Sequence, residues 1–104
     1  MPRRARLDAP GTLHHVMVRG IERGKIVTDD ADRENFLSRL GDLAATTQTT
    51  IYAWALLENH APILLRSSTF HLSHFMRRFM TGYAIFYNRR HRRWGHLFQN
   101  RYPS

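Results

Sequence analysis

The chain has 104 residues, sixteen Lys and Arg against eight Asp and Glu, and a formal net charge of +8. That length suits one domain, read over residues 1–104, and 42% hydrophobic residues are enough for a modest core. The lack of Cys excludes disulfides, Cys-zinc sites and thiol nucleophiles, and no stretch has the length of a signal peptide or membrane span, so a cytoplasmic protein is expected.

The charge is unevenly placed. No acidic residue follows Glu58, whereas Arg66, Arg77, Arg78, Arg89, Arg90, Arg92, Arg93 and Arg101 do. All but one of the sixteen cations are Arg, whose planar fork binds phosphate and stacks on bases. Genome composition explains Arg over Lys but not the missing acids, so a nucleic-acid partner is expected.

In chain order, a basic lead-in closes at Pro10-Gly11. Leu13 to Arg19 reads as a strand ended by Gly20, followed by a basic loop with Arg23, Gly24 and Lys25. Asp29 or Asp30 caps a helix through about Ala45, with its stripe on Phe36, Leu37, Leu40, Leu43 and Ala44. The run from Thr46 to Thr50 breaks that helix. Ile51 to Leu57 reads as a buried strand, Glu58-Asn59 as a turn and Pro62 to Leu65 as its hairpin partner. Ser67, Ser68 and Thr69 offer caps for a second helix, whose stripe runs from Leu72 through Phe75, Met76, Phe79, Met80, Tyr83, Phe86 and Tyr87. A basic loop from Asn88 to Gly95 and a last strand from Leu97 to Tyr102 complete the chain. The order β-α-β-β-α-β predicts an α+β, ferredoxin-like split βαβ fold: an antiparallel sheet with two helices on one face.

Several segments carry a family resemblance. The opening Pro-Arg-Arg-Ala-Arg-Leu-Asp-Ala-Pro-Gly-Thr-Leu-His-His-Val-Met-Val-Arg-Gly, the hairpin Leu56-Leu57-Glu58-Asn59-His60-Ala61-Pro62-Ile63-Leu64-Leu65, and the stretches Tyr87 to His91 and Gly95 to Tyr102 resemble REP-associated tyrosine transposases, of the HUH single-strand DNA transposase family. The resemblance implies DNA transposition, in which hairpin-bearing single strands are cut and rejoined. It further implies a divalent metal, Mg²⁺ or Mn²⁺, held by two His one residue apart on a strand, and a nucleophilic Tyr on a terminal helix.

Two departures stand out. His60 occupies the first metal position, but Pro62 stands at the second and has no ligating side-chain atom, so the metal site is expected to be degenerate and binding weak. No segment resembling the Tyr helix is found, so the domain reads as shortened at its C-terminus and cleavage-defective. Tyr83 and Tyr87 fit the apolar stripe better than a nucleophile pair, and Tyr102 falls in the expected last strand. His14 and His15 are adjacent and face opposite sides. His71 and His74 lack a third ligand, while His91 and His96 suit phosphate binding when protonated.

Arginines interleaved with an aromatic suit phosphate neutralisation with base stacking. The expected DNA-binding residues are therefore Arg77, Arg78, Arg89, Arg90, Arg92, Arg93, Trp94 and Arg101, with single-stranded or hairpin DNA as partner, a homodimer possible and no membrane. The alternatives are a non-catalytic DNA- or RNA-binding regulator, or a dimerising remnant of the same fold.

Overall fold

A computed structural model describes residues 9–99 of the chain. Three strands and two long helices are formed: β1 (Leu13–Arg19), α1 (Asp30–Thr47), β2 (Thr50–Trp54), β3 (His60–Arg66) and α2 (Leu72–Arg90). The sheet order is β1-β3-β2, with β3 antiparallel to both neighbours. This is the expected α+β arrangement, a split βαβ with the hairpin strand β3 between the parallel β1 and β2.

Alternation decides which face the helices cover. His14, Val16 and Val18 of β1 and Ala61, Ile63 and Leu65 of β3 are buried, and their neighbours are not. The buried set meets Phe36, Leu40 and Leu43 of α1 and Phe75, Met76, Phe79 and Tyr83 of α2. Phe36 stands edge-on to both Phe79 (4.9 Å) and Tyr83 (5.0 Å), which locks the two helices together over the sheet. Among the described residues no helix is long and apolar enough to cross a membrane.

The helix caps follow the chain's own chemistry. Asp29 caps α1 by accepting from the Asp32 amide at 3.1 Å, and Gln48 ends that helix in the left-handed region at φ 59°. The second helix departs from expectation. It starts at Leu72, after His71, and not from a Ser or Thr cap. Ser68 is occupied elsewhere: its hydroxyl donates to the Thr47 carbonyl and accepts from the Phe70 amide at 3.1 Å, tying the loop to the end of α1.

The hairpin is also shorter on one side than expected, with β2 ending at Trp54 and β3 extending from His60 to Arg66. Pro62 explains this. Ala55 N–H donates to the Pro62 carbonyl at 3.0 Å, but Pro62 has no N–H to return the bond, so regular pairing stops there. Beyond it Leu57 N–H to the His60 carbonyl (2.9 Å) closes the turn.

The last strand is only begun. Phe98 forms a single bridge with Gly20, and the flanking bonds are Ile21 N–H to Leu97 O (2.9 Å) and Gln99 N–H to Arg19 O (3.0 Å). The chain thus lies antiparallel along the end of β1, and the remainder of the expected strand, with Arg101 and Tyr102, lies outside the described residues.

Candidate functional site

The sheet face turned away from the helices carries His15, Met17 and Arg19 of β1 opposite Leu64, Pro62 and His60 of β3. At its His60 end is a cavity of about 310 Å³ lined by Met17, Arg19, Gly20, Arg23, Asn59, His60 and Gln99. His60 Nδ1 donates to the Asn59 side-chain carbonyl at 2.9 Å, fixing the ring.

The loop that closes this corner is tightly folded. A Cβ on Gly20 would stand 1.9 Å from the Gly24 carbonyl oxygen, so only glycine fits. Glu22 and Arg23 follow at φ 52° and 62°, a left-handed pair of non-glycine residues that costs on the order of 1 kcal/mol each. Bonds to the turn before β3 hold the loop down: Gly20 N–H to Asn59 O (3.0 Å), Ile26 N–H to Glu58 O (2.7 Å) and Asn59 Nδ2 to Arg23 O (3.5 Å). The strained turn carries Arg23, which lines the cavity together with Arg19.

The residues at this corner do not fit a divalent cation. Mg²⁺ and Mn²⁺ prefer several oxygen ligands, and His60 supplies one imidazole nitrogen. Pro62 and Met17, paired across the strands, add no oxygen. His15 shares the face but stands four residues from Arg19, the partner of His60, roughly 13 Å along the strand. Among the described residues no three His, Asp or Glu are grouped to hold a metal. The cavity is instead lined by two arginines and by no Asp or Glu.

A second cationic stretch runs along α2 and past its end. Arg77 and Arg78 are exposed in the first half of the helix, Arg89 and Arg92 are exposed at its end, and Trp94 is 87% exposed. Arg93 is held inward, donating to Asn88 Oδ1 (2.6 Å) and to the His96 carbonyl (3.3 Å). Arg90 differs from them all. Its guanidinium donates to Asp29 at 2.7 Å and Asp32 at 2.8 Å, which raises its pKa. His91 Nε2 lies 2.8 Å from the other Asp32 oxygen. Arg90 and His91, both expected to face phosphate, are thus bound to carboxylates of the cap and first turn of α1.

Asp32 is the centre of this clamp. It is fully buried and also accepts from the Thr28 amide (3.0 Å) and hydroxyl (2.7 Å). Burial pushes its pKa up, but the bonds from Thr28, His91 and Arg90 outweigh this and hold it below the ordinary value. The hydrogen bond from Arg90, with the Asp32 amide, likewise lowers Asp29. Asp32 was not among the expected functional residues, although its position carried a signal: with Phe36, Leu40 and Leu43 it occupies a stripe position, where an acid needs buried partners. Arg19 and Arg23 carried only the weaker signal of a basic loop after a strand.

The tyrosines of α2 belong to the core. Tyr83 is fully buried and donates its hydroxyl to the Ile26 carbonyl, and Tyr87 is 4% exposed. Burial, then the charge of Asp32, raises both phenols above the ordinary range, which opposes formation of a phenolate. His14 is buried on the helix-covered face, and the His71 and His74 rings stand 6.1 Å apart on their centroids.

The family model described as "Transposase IS200 like" matches residues 10–104. No curated protein matches the chain.

Proposed function

The chain belongs to the IS200-like transposase family, and from that premise we propose that it binds single-stranded or hairpin DNA in the bacterial cytoplasm, as a REP-associated tyrosine transposase domain that does not cut its substrate. The observation that carries this reading is the surface at the end of α2. Arg89 and Arg92 are exposed just before an exposed Trp94, and Arg77 and Arg78 are exposed earlier on the same helix, in a stretch with no acidic residue after Glu58. Guanidinium groups neutralise phosphates there, and the indole offers a platform for an unpaired base.

Cleavage needs an attacking phenolate and a polarised phosphate held in line. The α2 tyrosines are buried with raised pKa values, and Pro62 deprives His60 of a partner ligand. Divalent metal binding at His60 is accordingly expected to be no tighter than millimolar, as calorimetry would measure.

The test is a binding and cleavage assay on labelled hairpin DNA with a single-stranded flank. Binding should weaken with salt at a slope of roughly −0.7 per phosphate contacted. No covalent protein–DNA adduct should form with Mn²⁺, for the wild type or for Pro62→His. Absence of binding at low salt would refute the DNA-binding reading, and an adduct abolished by Tyr83→Phe or Tyr87→Phe would refute the cleavage defect.

A further inference from the structure

We propose that the corner at His60 is an anion site that takes a phosphodiester directly on Arg19 and Arg23, without a metal ion. The inference rests on the misfit between the residues present and a divalent cation. A metal site concentrates oxygen or imidazole ligands, whereas this cavity concentrates positive charge. Its lining residues include two arginines, part-buried Asn59 and Gln99, and no Asp or Glu. Of the acids in the flanking segments, Glu58 pairs with Lys25 at 3.8 Å and Glu22 is exposed on the loop.

The loop geometry supports the same assignment. Arg23 reaches the cavity only through a left-handed turn packed against Gly20, and unfavourable backbone angles persist where the surrounding structure enforces them. Arg19 is supplied by β1, directly opposite His60 in the strand register. Two arginines lining one cavity suit a phosphate, which accepts paired N–H donors. A cavity of about 310 Å³ matches the small end of ligand pockets and holds one phosphate group rather than a duplex.

This site is separate from the α2 surface and does not depend on the reading of that surface. The probe is the dinucleoside monophosphate TpT, titrated into the whole chain in EDTA and followed by the NMR signals of the His60 ring and the Arg19 side chain. TpT is expected to shift both, and Arg19→Gln and Arg23→Gln are each expected to weaken binding about tenfold, as for loss of one charge-assisted contact. Added Mn²⁺ should leave the affinity unchanged. Binding that requires Mn²⁺, or shifts confined to the α2 surface, would overturn the proposal, as would an affinity insensitive to both substitutions. The hairpin assay reads the other site: hairpin binding without TpT binding at the corner removes this inference alone, and the converse removes the α2 reading alone.

Discussion

Two arginine-rich regions of this small domain are wired in opposite ways. Around Asp32, Arg90 and His91 are drawn onto carboxylates that seal the end of α2 against the start of α1. Around His60, Arg19 and Arg23 flank a cavity with no carboxylate in its wall. The same side-chain chemistry thus serves architecture in one place and is left free for a ligand in the other. The difference teaches that an arginine count overstates the available positive surface; what counts is the number of forks not already satisfied.

The clamp should give the largest effect when broken. Asp32→Ala removes a fully buried charge and leaves Thr28, Arg90 and His91 without their common acceptor. Its expected cost is about 3 kcal/mol, at the low end for breaking a buried pair because Arg90 and His91 are partly exposed. Chemical denaturation measures it, and a loss under 1 kcal/mol would mean that the clamp is a surface ion pair.

Acid offers a gentler way to open the same region. Both Asp29 and Asp32 have pKa values lowered from 3.8 on folding, so their contribution is complete well above that value and is lost as pH falls through it towards the lower folded values. Stability of the wild type should therefore decline below about pH 4 more steeply than that of Asp32→Asn. Parallel acid limbs in urea titrations of the two proteins would contradict this assignment.

The DNA readout separates free from clamped arginines. Substituting Arg89 and Arg92 together with Ala should flatten the salt dependence of hairpin binding by about 1.4, from roughly 0.7 per lost phosphate contact. Arg90→Ala should leave that slope nearly unchanged and lower stability instead. Equal slopes for the double variant and for Arg90→Ala would erase the distinction between the two regions.

The smallest effect is expected at the open corner. Arg23→Gly relieves a left-handed backbone conformation but makes the unfolded chain more flexible, so the net change lies between zero and a gain of about 1 kcal/mol. TpT affinity should fall at the same time. A variant that is less stable and binds TpT as before would show that Arg23 is structural.

Much of this molecule was legible before folding was considered. The alternation in Leu13–Arg19 and the stripes of α1 and α2 follow from local periodicity, so element order and the ferredoxin-like arrangement could be read directly. The burial of Tyr83 and Tyr87 was legible for the same reason. Boundaries were less so: the early end of β2 depends on a carbonyl of Pro62 across the hairpin, and the start of α2 depends on Ser68 being drawn to Thr47.

By itself the sequence determined the family, the fold class, the cationic second half and the incompatibility of Pro62 with a two-histidine metal site. Tertiary structure alone decided which arginines are available. Asp32 and Arg90 are 58 residues apart, and no local pattern marks them as partners. Arg23 and Asn59 are 36 apart and meet because a left-handed turn folds back onto β3. Periodicity reports on neighbours along one element, whereas the pairing of charges is set by the packing of several elements against one core.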